Sequence, residues 1–526
     1  MKPNVPGMHA RLSRLVAQHP ARTLAVLAAI ASLGFVATAA GLDNFVLGGG
    51  GKGSEKLLIQ TSGREPARSP AYQVVLRTMR SQLSTNPAVH SLGLHYVAGQ
   101  PRSAVLVVGF GDAGAGERED AVGRIEADLD PGPLLVSYSG QSALLRAARE
   151  AIVHDLDLLL LALPLVLLLL VAALGPRPAA AVVLAVAATI GLASALCVAL
   201  ALVVDVSALA LVGAGGSGLL TASQLCLLAR RGADPAALGA ASRAGAVVHL
   251  GLCLLGVSFL AWLGFGGAVA ALLAYPVALA AMDATTSLWG PAGQGQPTAE
   301  RALRRLERPL RRWAAVAGAA VLVSAGILVV AALPLHELDL VTLAAQPPEI
   351  DGLRLGLAVG TAVAAVVAIG WVACRRPLLA LGSGLAAGLP AAAATGLLVL
   401  VFQDGRFQDF LGYSPAGGLF LGALAGSAAL VASACAARWT ALLGSVRQLP
   451  RLAFHTVRGP VDGPAAALPA LLTTLIGGAT GVALVFSSLI YLKQFGLGVA
   501  LGLALDFLAV RLLLAPALLR LLGPRK

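Results

Sequence analysis

Residues 501–523 read LGLALDFLAVRLLLAPALLRLLG. A run this apolar is long enough to cross the roughly 30 Å hydrocarbon layer as a helix, yet Asp506 and Arg511 lie inside it. Ionisable side chains are costly in a spanning helix, so each asks for a partner or a purpose. The same character extends along the chain. Of 526 residues, 57% are hydrophobic and 12% charged, with a mean hydropathy of +0.83, a balance foreign to a soluble globular chain. Ala, Leu and Gly dominate while aromatic residues make up 5%, which suits helices packed through small residues better than the alternating strands of a barrel. The expected fold class is an all-α polytopic membrane protein.

With about 20 apolar residues required per span, about twelve spans are expected, centred near residues 32, 165, 190, 218, 253, 277, 322, 363, 389, 428, 478 and 508. VATAAG after the first span has the look of a cleavage site, but a long apolar run preceded by Arg11, Arg14 and Arg22 fits a retained anchor. Arg177, Arg230, Arg231, Arg243, the cluster from Arg301 to Arg312, Arg375, Arg376, Arg438, Arg447, Arg451, Arg458 and the basic tail all fall on the side of the N-terminus in this layout. Short basic loops stay in the cytoplasm, so both termini are expected there. Arg406 and Lys493 are the main exceptions on the other side. The formal charge of +12 is therefore read as topology signal rather than as a nucleic-acid surface.

Two stretches, RLSRLVAQHPARTLAVLAAIASL and RALRRLERPLRRWAAVAGAAVLV, each bring a basic segment into an Ala/Val-rich span. Each then leads through an outer segment to two spans joined by a basic turn, GPRP at 175–178 and CRRP at 374–377. The chain thus reads as two six-helix repeats. The expected division is residues 1–42 for the N-terminus and first span, 43–154 for an extracytoplasmic α/β domain, 155–288 for spans two to six, 289–312 for a cytoplasmic linker and 313–526 for spans seven to twelve. Within 43–154 the patterns KLLIQTSG, SPAYQVVLRTMRSQL with Ser69 as cap, VHSLGLHYV, RSAVLVVGFG, REDAVGRIEADL and PLLVSYSG predict βαββαβ, the split ferredoxin-like, porter-type order. A further helix, QSALLRAAREAIVHDLD, is expected to run into the second span. The corresponding outer segment of the second half is too short for such a domain.

Together with this layout, GLDNFVLGGGG, DLDLLLLALPLVLLLLVAALGPRP, RRGADPAALGAASRAGAVV, VFQDGRFQDFLG and GLGVALGLALDFLAVRLLLAPALLRLLG resemble the MMPL (mycobacterial membrane protein large) family of the resistance-nodulation-division (RND) superfamily. The resemblance implies proton-driven export of lipids or other hydrophobic molecules at the bacterial plasma membrane, with an Asp-Tyr pair on the fourth helix of each half as the relay. The chain departs from that pattern. The first corresponding stretch, 207–229, puts Ser217 and Gly218 at the degenerate relay position, and neither it nor the second, 418–437, contains a carboxylate, histidine or tyrosine. Hydroxyl groups do not titrate in the physiological range, so the usual relay is expected to be absent. The glycines 213, 215, 216 and 218 read as packing.

The candidate intramembrane ionisable residues are then Asp506, Arg511 and Asp283. Asp506 is expected about ten residues inside the twelfth span, close to mid-membrane. Five residues separate it from Arg511, about 140° around an α-helix, so the two are not expected to pair, and Arg511 is expected to snorkel towards the inner interface. Asp506 reads either as a surviving proton or substrate site or as a carboxylate tying the last helix to the bundle, and the second reading is favoured. Asp283 reads as interfacial, Asp157 and Asp205 as solvated outer residues, and His249 as a lone imidazole at a helix start. The five cysteines lack any ligand spacing. No metal, cofactor or enzyme activity is expected: GGGGKGS (48–54) lacks the Ser or Thr required after its lysine, and no GxSxG or HExxH occurs. The expected function is transport of a lipid or other hydrophobic molecule without the usual proton relay. The alternative is a non-transporting scaffold or regulatory subunit of an envelope assembly complex. On either reading an envelope protein is a candidate partner through the outer domain.

Overall fold

The computed structural model describes residues 8–41, 45–46, 56–63, 65–96, 102–111, 115–139, 164–204, 206–290, 314–337, 340–341, 352–404, 419–448, 463–487 and 490–522. In chain order its principal elements begin with helices α1 (Met8–Gln18) and α2 (Pro20–Gly41). Strand β1 (Lys56–Ser62), helix α3 (Pro70–Ser84), strands β2 (Ser91–Tyr96) and β3 (Ser103–Gly109), helix α4 (Ala115–Asp128) and strand β4 (Leu135–Ser139) follow. The first half continues with α5 (Pro164–Leu174), α6 (Pro176–Ala201), α7 (Leu209–Arg230), α8 (Pro235–Gly251) and α9 (Ser258–Trp289). After these come α10 (Ala314–Ala332), α11 (Gly352–Cys374), α12 (Pro377–Leu398), α13 (Leu421–Gln448), α14 (Gly463–Val485), α15 (Ile490–Leu505) and α16 (Ala515–Leu522). Among the described residues eleven helices are long and apolar enough to cross a membrane, and α5 is a shorter apolar one. The chain is a polytopic, mainly helical membrane protein. The segment 141–157, where a helix leading into the second span is expected, lies outside the described residues, as do Asp157 and Asp205.

By contacts the chain divides into two compact units, one of Met1–Phe45, Asp157–Leu340 and Ile350–Lys526, the other of Val46–Leu156 and Val341–Glu349. The second unit holds a four-stranded antiparallel sheet in the order β2-β3-β1-β4. Leu57, Ile59 and Thr61 alternate inward along β1, as a pleat with one buried face requires. Helix α3 starts where the Ser69 hydroxyl accepts the Tyr72 N–H at 3.3 Å and a proline occupies the first turn. Its buried residues Tyr72, Leu76, Met79 and Leu83 recur at helical spacing and share one core with Leu106 and Val108 of β3 and Val122 and Ile125 of α4. The Tyr72 hydroxyl donates to Thr61 Oγ1 at 3.0 Å and Thr61 in turn donates to the Ala104 carbonyl at 3.0 Å, so these two buried hydroxyls are satisfied.

In the helical unit α6 packs on α2, α7 and α9, and α9 packs on α7 and α8. Further along, α12 packs on α10, α13 and α15, and α15 packs on α13 and α14. The two groups of helices meet where α8 lies against α11 and α13, and α7 against α13 and α14. Alanine and glycine dominate these contacts, since water-to-lipid transfer gives helices little reason to associate and close van der Waals approach supplies it instead. The fifth span differs from expectation. It runs from Pro235 to Leu255 rather than being centred near 253, because Pro235 starts a helix well ahead of the apolar run. Arg243, expected in a cytoplasmic turn, is an exposed residue of α8, and His249 lies in the last turn of that helix rather than at its start.

Two glycines of α7 separate tight packing from slack. A Cβ on Gly213 would stand 2.1 Å from the Leu263 carbonyl oxygen of α9, whereas one on Gly215 meets nothing within 4 Å. Gly213→Ala is expected to lower stability by about 1–3 kcal/mol through overpacking, and Gly215→Ala to raise it by up to about 1 kcal/mol through helix propensity. Thermal unfolding of the purified protein followed by tryptophan fluorescence reads both; equal shifts would contradict this packing of α7 on α9.

Candidate intramembrane charge site

Residues 506–514 do not continue α15 as an α-helix. They form a π-helical segment between α15 and α16, in which backbone bonds close i→i+5 rings. A turn widened in this way brings residues five apart onto one face, and these are Asp506 and Arg511. No ion pair or hydrogen bond joins the two, however: Asp506 pairs with Arg438 and acts on the Arg511 guanidinium only as a nearby charge. Arg511 does not snorkel: it is 5% exposed, and Asp506 is 1% exposed. Asp506 lies close to the middle of the last span, Ile490–Leu518, which begins early enough to take in Lys493, itself buried.

The ion-pair partner of Asp506 is Arg438, whose Nη1 donates to Asp506 Oδ2. Arg438 was expected among the cytoplasmic topology signals. Helix α13 instead runs on to Gln448, which leaves Arg438 inside the span and 4% exposed. Its neighbours hold it in register. Trp439 is fully buried and its Nε1 donates to the Leu379 carbonyl of α12 at 3.2 Å. Arg438 Nη1 also approaches Thr474 Oγ1 of α14 at 3.4 Å. Cys435, one turn earlier on α13, is in electrostatic reach of Asp506, Arg438 and Arg511. The site thus joins α13, α14 and the π segment through two guanidiniums and one carboxylate.

Energetically the pairing is what makes Asp506 tolerable. An aspartate at the centre of a spanning helix costs roughly 2.5–3.5 kcal/mol on insertion scales, and a guanidinium in contact offsets that cost. Losing either partner strands the other, which typically costs about 3–5 kcal/mol at a buried pair.

The other expected positions lie elsewhere. Asp283, near the end of α9, accepts a hydrogen bond from the Ser13 hydroxyl of α1, so this carboxylate fastens the N-terminal helix to the bundle. Ser217 is fully buried on α7, and a Cβ on its neighbour Gly218 would lie 2.8 Å from Ile190 Cγ1 of α6, so Gly218 is a packing residue. Thr221 and Gln224 continue the buried polar face of α7, and neither they nor Ser217 have a side-chain hydrogen-bond partner among the described residues. His249 is likewise fully buried, its ring against Gly267 of α9. Arg438 is the functional candidate that sequence reasoning missed. The signal was the sequence after it, WTALLGSV, apolar enough to prolong the helix.

Residues 470–526, which include Thr474, Asp506 and Arg511, match the family described as the MMPL family. The expected resemblance is borne out over this segment, and MMPL proteins belong to the RND superfamily. No curated protein matches the chain. Among solved structures the fold is similar to SecDF in a super-membrane-facing form, at a TM-score of 0.52 and 11% identity over 96% of this chain and 98% of that one. A second SecDF structure, that of a translocon-associated membrane protein from Thermus thermophilus, gives a TM-score of 0.49 and 12% identity over 95% and 99% of the two chains.

Arg438→Gln and Asp506→Asn are each expected to destabilise the purified protein by about 3–5 kcal/mol. In the double variant the loss is expected to be smaller than the sum of the two, the mark of a direct pair. Strictly additive shifts in denaturant midpoint would exclude the pairing.

Proposed function

We propose that the chain is an MMPL/RND-type transporter that moves lipids or other hydrophobic molecules across or out of the bacterial plasma membrane without the usual proton relay. The observation that carries the second half of this reading is the chemistry of α7 and α13. Neither helix has a carboxylate, histidine or tyrosine along its length. A proton relay in a membrane interior needs a group that changes protonation as the protein alternates, and a stripe of hydroxyl and amide groups does not supply one. The fully buried carboxylate among the described residues, Asp506, is held by Arg438, which suits a structural tie.

The transport half is supported by the family match over 470–526 and by the SecDF-like fold. We read the two groups of helices as two six-helix repeats, since α2, α6, α7, α8 and α9 neighbour one another in the same pattern as α10, α12, α13, α14 and α15. The sheet order β2-β3-β1-β4 with two helices in βαββαβ sequence is that of a ferredoxin-like domain, which we place outside the cell with both chain termini in the cytoplasm. This domain is the part proposed to dock an envelope partner.

The test is movement of a fluorescent lipid analogue in reconstituted vesicles, with and without an imposed pH gradient. The expected result is protein-dependent movement at the same rate in both. Acceleration by the gradient that an ionophore abolishes would overturn the relay-free reading, and no movement at all would favour the scaffold role.

A further inference from the structure

The charge site carries more positive charge than its carboxylate neutralises. Arg438 and Arg511 bring two guanidiniums, Asp506 one carboxylate, and all three side chains are at least nine-tenths buried. The ionisable groups acting on Arg511 are Asp506, Arg438 and Cys435, so no second carboxylate is within reach among the described residues. Arg438 Nε and Nη2 and Arg511 Nε are buried donors with no hydrogen-bond partner among those residues. Helix-end dipoles do not close this balance, because their effect fades within one turn and α16 carries the helix on to Leu522. A buried guanidinium without a counter-charge is expensive, and its planar fork of donors is matched to an oxyanion or a halide.

We propose that the unpartnered guanidinium donors of Arg438 and Arg511, beside Asp506, bind one monoanionic group, held mainly by Arg511. The group is either a free inorganic anion or the phosphodiester of an anionic lipid, since both present the same chemistry to a guanidinium. The proposal goes beyond transport and does not depend on it: the site can be filled whether or not a lipid is moved. Its sign is distinctive. Removing the carboxylate raises the net charge of the trio from one to two, so an Asp506 variant binds the anion more tightly, whereas a purely structural Asp506 has no such consequence.

The experiment measures the melting temperature of the full-length protein in nanodiscs of phosphatidylcholine. Sodium gluconate is replaced stepwise by sodium chloride in one arm, and phosphatidylcholine by phosphatidylglycerol in the other. Wild type is expected to show a saturable rise in one arm, which identifies the source as free anion or lipid. Asp506→Asn should reach half-saturation at a concentration at least tenfold lower, and Arg511→Gln should lose the response. Arg511→Lys should keep it weakened, and Arg14→Gln, at an exposed position of α1, should leave it unchanged. If Arg511→Gln does not fold, the wild-type and Asp506→Asn titrations decide by themselves. A response absent from both, equal in both, or shared by Arg511→Gln overturns the proposal.

Discussion

The contact between Arg438 and Asp506 constrains the second half of the bundle more than any apolar packing there. Hydrophobic transfer does not tell one lipid-embedded helix from another, so register must come from shape or from polar groups. A guanidinium on α13 and a carboxylate on the π segment can meet at one rotation and one height of the two helices only. Thr474 of α14 and the Leu379 carbonyl of α12, which accepts from the Trp439 indole of α13, then find their partners at that setting. Specificity of this kind is the best-attested use of a buried ion pair, whose net stability is otherwise small.

The π segment is the local cost of that arrangement. Widened turns are rare and concentrate at functional positions. Here the widened segment carries both Asp506 and Arg511, and the site holds an excess cation. Among the described residues of α7 and α8 the interior is polar rather than paired: Ser217, Thr221 and Gln224 on α7 and His249 on α8 are all fully buried. The two groups of helices therefore differ in the electrostatics of their interiors, and the ion pair belongs to one of them.

Much of this was legible from residues alone. Apolar runs of spanning length, punctuated by Arg and Pro, marked the helices, and period-two and helical patterns with the Ser69 cap marked the elements of the sheet unit. Asp506 and Arg511 stood out because charge is conspicuous in an apolar run. Arg438 did not, since an arginine near the end of an apolar run reads equally as an interfacial anchor or a buried partner. Its placement rests on where α13 ends, and helix ends are the least certain part of any reading from periodicity.

What the sequence by itself determined is the solvent of each segment, for hydropathy is a property of the residues and the bilayer accepts or refuses them one by one. Which polar groups meet was decided by tertiary structure alone. A shift from i→i+4 to i→i+5 bonding, or one further turn of α13, changes the partner of every charge in the core without changing a residue. Such shifts are selected by the summed packing of neighbouring helices, which no local window of sequence contains.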